Sequence, residues 1–178
     1  MRAIGTKPLR TKRLLLRAPA TGDAPALTAS GSLTMPVAEA EAALAQMAAE
    51  AEKPYVFHWV IEHGGEAIGR IKGWEVSQIN GYVQLGYDIA QEMRGHGYMT
   101  EAVGAVIRYL LTQADANRVY CSVRAHNIAS CRVCEKNGMQ LEGLMRQHYS
   151  RADGGYDDVR IYGILKSDLI EGKCMKDA

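Results

Sequence analysis

The sequence predicts an α/β (α+β) fold, a mixed and mostly antiparallel twisted sheet of about seven strands with helices on both faces. Three observations predict it. Alternating segments in the first half are joined by the glycine turns His63-Gly64-Gly65 and Asn80-Gly81, and Asn-Gly is a strong hairpin signal. Residues 82–90 alternate and then run through Arg94-Gly95-His96-Gly97 into an amphipathic helix. Beyond that helix the pattern reads strand, helix, strand, strand.

Each element has its own reason. Residues 13–18 read as the first strand, and Thr21-Gly22-Asp23 offers a cap for a short helix. Alanine and glutamate favour a second helix over residues 36–51. Residues 55–62 alternate and are rich in aromatic and β-branched side chains, so they read as a strand. The two glycine turns then lead to strands at 67–76 and 82–90. In the next helix Val103, Val106, Ile107, Leu110 and Leu111 recur at i, i+3, i+4, i+7 and i+8, which makes one face apolar. A strand at 118–124 precedes a helix at 128–137, which Gly138 stops as a C-cap. Strands at 141–150 and 157–165 flank the turn Ala152-Asp153-Gly154-Gly155.

A chain of 178 residues fits one domain, residues 1–178, with its core over about 10–168. A net charge of +1 gives no general attraction to nucleic acid or to an anionic membrane. No apolar run approaches the roughly 20 residues of a membrane span. The basic N-terminus lacks the apolar stretch of a secretory signal, and Arg13-Leu14-Leu15-Leu16-Arg17 reads better as a strand than as a transit peptide. Four irregularly placed cysteines suit a reducing cytoplasm rather than a disulfide framework. Cys131-x-x-Cys134 sits inside a predicted helix with no second pair, which favours buried structural thiols over a metal or redox role.

The glycine turn is the informative feature. Glycine permits close backbone approach, and a helix N-terminus presents bare N–H groups with partial positive charge, so the segment suits a phosphate. It lacks the Gly-Lys-Ser/Thr ending of a nucleoside-triphosphate loop, and Thr100 stands where a dinucleotide fingerprint has its third glycine. From these residues alone it is either a phosphate loop or a plain strand-to-helix turn.

Other segments weigh on that choice. The chain also contains Thr11-Lys12-Arg13-Leu14-Leu15-Leu16-Arg17, Gly97-Tyr98-Met99-Thr100-Glu101-Ala102, Asn127-x-x-Ser130, Glu142-Gly143 and Asp153-Gly154-Gly155-Tyr156-Asp157-Asp158. With the loop Arg94-Gly95-His96-Gly97-Tyr98-Met99, they resemble the GNAT superfamily of acyl-CoA N-acetyltransferases, and within it the ribosomal-protein alanine N-acetyltransferase (Rim-type) branch. The resemblance implies splayed central strands, with the pantetheine arm of acetyl-CoA between them. It implies cofactor contacts from the backbone of Asp88, Ile89 and Ala90, from Arg94, Gly95, His96, Gly97, Tyr98, Met99 and Thr100, and from Asn127 and Ser130. It implies no metal.

The implied activity is acetyl transfer from acetyl-CoA to a primary amine, a protein N-terminus or a small molecule, by direct attack on the thioester. A backbone N–H near Ile89 is the implied oxyanion donor. Many family members protonate the leaving thiol with a tyrosine at the position of Cys134; the branch pattern points instead to Ser130. Asn127 suits both a helix N-cap and a cofactor contact. Tyr149 reads as a catalytic residue, with His148, Glu75 and His126 as further candidate bases. Arg132 reads as a surface arginine.

The departures are Met99 in place of a small residue, Met139 in place of phenylalanine, and a short segment between Leu27 and Glu39. The last bears on the acceptor pocket, so ribosomal-protein specificity does not carry over. The rival reading is a non-catalytic acyl-CoA-binding module, motivated by Cys134; monomer and homodimer both stay open.

Overall fold

A computed structural model describes residues 1–170; Cys174 and the expected domain limit at residue 178 lie outside the described residues. The strands are β1 (Leu9–Arg10), β2 (Leu15–Arg17), β3 (His58–His63), β4 (Glu66–Ser77), β5 (Tyr82–Ile89), β6 (Arg118–Arg124), β7 (Gln140–Ser150) and β8 (Tyr156–Leu165). The helices are α1 (Ala24–Ala29), α2 (Val37–Glu50), α3 (Tyr98–Thr112), α4 (Ile128–Lys136) and α5 (Lys166–Ile170). The eight strands hydrogen-bond in the order β1-β2-β3-β4-β5-β6-β8-β7. The β5–β6 pair is parallel, with Tyr82, Val83 and Gln84 opposite Arg118, Val119 and Tyr120. The pairs β1–β2, β2–β3, β3–β4, β6–β8 and β7–β8 are antiparallel.

The mixed, mostly antiparallel sheet matches the expectation, with one more strand than the seven or so expected. The extra strand is β1, which pairs Leu9 with Leu16 and Arg10 with Leu15. Two residues are too few for alternation to register as a pattern. The strand expected from residue 55 begins at His58, because Tyr55 takes φ +66° and leaves the extended region. Asp23 caps the short 3-10 turn Thr21–Asp23 rather than α1. Its side chain makes no cap bond to α1. It turns back to the Ala20 N–H at 2.8 Å and accepts a forked pair of bonds from Arg17 at 2.8 and 2.7 Å.

The chain packs as two compact units. The first comprises residues 2–73 and 86–106. Its apolar centre joins Ala24 and Leu27 of α1, Leu33 between the helices, Ala40 and Leu44 of α2, Val60 of β3 and Ala67 of β4, with Met35 and Met47 against them. The second comprises, among the described residues, 74–85 and 107–170. In it Val119 and Cys121 of β6, Cys134 of α4, and Tyr162 and Ile164 of β8 are buried. The stripe read from the sequence of α3 is real: Ala102, Val103, Val106, Ile107, Leu110 and Leu111 are all 0% exposed.

The stop of α4 is also as read. Gly138 takes φ +75°, its N–H donates to the Glu135 carbonyl at 3.0 Å, and the Met139 N–H donates to Cys134 at 3.1 Å. This is the double bond of a Schellman motif. At the other end, the Asn127 side chain accepts the Ser130 N–H at 3.1 Å.

Gly69 of β4 is a point of close approach that bears on β5. A Cβ there would run into the Asp88 carbonyl and lie 3.0 Å from Ile89 Cα. Gly69→Ala therefore pushes backbone against backbone, which costs about 1–3 kcal/mol. The expected outcome is a melting temperature lower by several degrees in a thermal denaturation scan.

Candidate functional site

The glycine loop sits in the first unit. β5 ends at Ile89, a single 3-10 turn spans Gln91–Met93, and the chain enters α3 at Tyr98. Gly95 and Gly97 both take φ +81°, a conformation that side-chain-bearing residues rarely adopt. None of the described hydrogen bonds uses the N–H of Gly95, His96 or Gly97. A glycine loop with undonated amides at the start of a 15-residue helix is a built cradle for a diphosphate. Arg94 is exposed, and no described hydrogen bond or ion pair takes its guanidinium. His96 is exposed with its ring stacked on Tyr98 at 5.7 Å. Met99 turns its side chain into the core at 8% exposure, leaving only its backbone for a ligand. Thr100 is half-buried in the first turn of α3.

Before the loop, the three expected backbone contacts differ. Ala90 is committed at both ends: its N–H donates to the Ile68 carbonyl at 2.8 Å and its carbonyl accepts from Met93 at 3.0 Å. The contact expected from Ala90 therefore has no spare N–H behind it. Asp88 carries an ion pair with Arg70 at 2.9 Å, and Arg70 also donates to the Ser32 carbonyl at 2.6 Å. Ile89 closes the strand.

A network not anticipated from the sequence holds the loop from behind. Glu101, in the first turn of α3, accepts from the Thr11 hydroxyl at 2.6 Å, the Arg13 backbone N–H at 2.9 Å and Arg13 Nε at 2.7 Å. Arg13 Nη1 donates to the His96 carbonyl at 2.9 Å, and its guanidinium lies 4.5 Å from the centre of the Tyr98 ring. The Tyr98 hydroxyl meets His63 Nε2 at 3.1 Å, and His63 Nδ1 meets the Arg13 carbonyl at 3.1 Å. A carbonyl only accepts, so Nδ1 carries the proton and Nε2 accepts from Tyr98. Thr11, Arg13, Tyr98 and Glu101 all lie in segments noted above, but nothing in their spacing says that the segments touch.

The second unit holds the other expected residues. Asn127 is the N-cap of α4, and Ser130 lies half-buried in its first turn. Tyr149 is half-buried on β7, with its ring 4.9 Å from His148 and 5.2 Å from the Arg124 guanidinium. β7 carries a register shift between Met145 and Tyr149, where Gln147 takes φ +50° and donates its N–H to Asp158 at 2.8 Å. The bulge sets which way Tyr149 faces, and no sequence pattern announced it. His126 lies 3.6 Å from buried Asp157, which is also paired with Arg124. Glu75 of β4 accepts the Tyr120 hydroxyl at 2.6 Å, which ties this candidate base to β6, two strands away in the sheet. Arg132 is exposed.

Cys121, Cys131 and Cys134 are buried thiols rather than disulfides. The Cys121 thiol is pushed well up, first by hydrogen bonding with the Cys134 thiol and then by burial. A thiol held protonated is a packing group and a poor nucleophile. Among the described residues no group of three or more His, Cys, Asp and Glu is placed to hold a metal, and no helix is long and apolar enough to cross a membrane.

Burial works to raise the Glu101 carboxyl, but the hydrogen bonds from Thr11 and Arg13 outweigh it and hold the group below its ordinary 4.5. A depressed carboxyl contributes stability above its unfolded value and loses it as the pH falls through the folded one. Glu101→Gln should therefore lower the melting temperature at pH 7, and the gap from the parent should narrow below about pH 4.5. A gap that stays constant from pH 7 to pH 3 would rule out the ionised carboxylate as the source.

Residues 13–140 match the family model for the acetyltransferase (GNAT) domain. An N-acetyltransferase, p20, of Bacillus licheniformis is 31% identical over 112 residues, which cover 63% of this chain and 62% of that protein. The ribosomal-protein-serine acetyltransferase of Escherichia coli is 28% identical, with 62% of each chain covered. This chain thus matches somewhat under two thirds of the length of these relatives. Among solved structures, a ribosomal L7/L12 alpha-N-protein acetyltransferase in complex with coenzyme A superposes with a TM-score of 0.80, at 22% identity over 89% of this chain and 98% of that one. A further acetyltransferase structure gives 0.74 at 25% identity, over 93% and 90%. The glycine loop at the start of α3 and the motif order around it have their explanation here: the chain belongs to the GNAT acetyltransferase family.

Proposed function

We propose that the protein is an acetyl-CoA-dependent N-acetyltransferase, one domain with its core over residues 10–168, acting on a primary amine in the cytoplasm. The observation that carries this reading is the loop Gly95-His96-Gly97, with two positive-φ glycines and undonated amides at the N-terminus of α3. Such a cradle takes a diphosphate, and acetyl-CoA joins a diphosphate to a reactive thioester. Arg94 supplies a cation at the loop's edge.

The reaction forms a bond from the amine nitrogen to the acetyl carbon and breaks the carbon–sulfur bond. The chain must supply an oxyanion donor, a proton for the sulfur and a route for the amine proton. The Ile89 N–H is proposed for the first and the Ser130 hydroxyl for the second. A thiol of pKa about 8.5 needs only modest help to leave. Tyr149, proposed as the base, is held beside Arg124 and His148. A protein N-terminus, of pKa about 7.7–8.0, asks far less of such a base than lysine at about 10.4. The acceptor is accordingly proposed to be a protein N-terminus or a small-molecule amine of similar basicity. The relatives named as ribosomal-protein acetyltransferases support the first class.

Titration calorimetry with acetyl-CoA, followed by mass spectrometry of peptides and amines incubated with both, tests the reading. Binding with an added acetyl mass on one acceptor is expected; absence of binding would remove the proposal, and binding without transfer would favour an acyl-CoA-binding module. Ser130→Ala should lower kcat by roughly 10- to 100-fold, the scale of a positioned acid, with a smaller change in acetyl-CoA affinity. Gly97→Val should abolish acetyl-CoA binding, because a side chain is strained at φ +81° and would occupy the approach of the phosphate.

A further inference from the structure

Two segments far apart in sequence, Thr11–Arg13 and the start of α3, are joined by the bonds to Glu101, and one guanidinium carries the link on to the loop. Arg13 donates to Glu101 at 2.7 Å and to the His96 carbonyl at 2.9 Å, while its face lies over Tyr98. The bond to His96 has a geometric consequence. The His96 carbonyl and the Gly97 N–H belong to one trans peptide plane and point in opposite directions. Holding the carbonyl toward Arg13 therefore aims the Gly97 N–H away from it. That plane lies between His96 and Gly97, and the freedom of Gly97 at φ +81° leaves the Arg13 bond as a restraint against its flipping.

A charge consequence accompanies it. Glu101 lies in the first turn of α3, where a carboxylate stabilises the helix but repels an incoming anion. The Arg13 guanidinium at 2.7 Å offsets that charge. The side chains of Arg13 and Glu101 are 39% and 10% exposed, so the pair is only partly screened by solvent.

We propose that Arg13 is a positioning residue for the diphosphate of acyl-CoA. It orients the His96–Gly97 peptide as a donor and cancels the Glu101 charge at the mouth of the loop. The inference rests on the acetyl-CoA reading above and extends it to a residue outside the loop. A strap that merely stabilised the fold would act on every donor alike. An anion-positioning strap acts on the phosphate end alone.

The test compares acetyl-CoA with S-acetylpantetheine, which carries the thioester and no phosphate. Dissociation constants are measured by calorimetry for the first and by NMR titration for the second. Arg13→Ala should weaken acetyl-CoA binding about tenfold, the scale of one lost charge-assisted hydrogen bond, and weaken S-acetylpantetheine by less than a third of that factor. Adding Glu101→Gln to Arg13→Ala should restore part of the acetyl-CoA affinity, because it removes the uncompensated charge. Arg13→Lys keeps the charge but cannot span both partners, so it should fall between the parent and the alanine variant; it also serves if Arg13→Ala does not fold. Equal losses on the two ligands, or no loss on either, overturn the proposal while the acetyl-CoA reading stands. Failure of the parent protein to bind acetyl-CoA overturns both.

Discussion

The carboxylate of Glu101 is the constraint on which the loop depends. It takes three hydrogen bonds from Thr11 and Arg13, and through Arg13 it reaches the His96 carbonyl. Two glycines at φ +81° give the loop the shape an anion needs, and the same freedom would let it collapse or flip. The network supplies from outside the loop the rigidity that the loop cannot supply itself. Its members come from a strand edge, a hairpin end and a helix start, so a change at any of them is felt at the loop.

The packing of α3 serves the same end. Its six fully buried positions form one stripe, and Met99 adds a seventh contact at the loop itself. A helix seated over that length has an N-terminus with a defined direction, and its dipole and bare amides point where the loop turns. Gly69 makes the matching contribution on the other side of the loop, by letting β4 approach β5 at Asp88 and Ile89.

In the second unit α4 is fixed at both ends, by the Asn127 cap and by the Schellman bonds at Gly138. Ser130 is held one turn from that cap. Asn127 thus has a structural task that would suffice to explain its presence, and a ligand contact would be additional to it. Cys134 is buried and hydrogen-bonded with Cys121, so the position where many family members carry a tyrosine is here part of the core. Under the proposed acetyl transfer, Ser130 or solvent is left to protonate the leaving sulfur. Tyr149 depends on the bulge at Gln147 for its direction and on Arg124 and His148 for its surroundings.

The sequence by itself determined the order of the elements from β2 to β8, the glycine loop, the buried stripe of α3 and both ends of α4. These are local matters: side-chain period, a φ that only glycine takes easily, and caps made by neighbours three to five residues away. Only the tertiary structure decided that Arg13 reaches His96 and Glu101, that Asp23 also answers Arg17 of β2, and that the Ala90 amide belongs to Ile68. It also decided the pairing of the two-residue β1 and the bulge that turns Tyr149. Each of these joins residues through a long-range hydrogen bond or a sheet register. Such contacts leave no period in the chain, because their partners are set by how the elements come together and not by their separation in sequence.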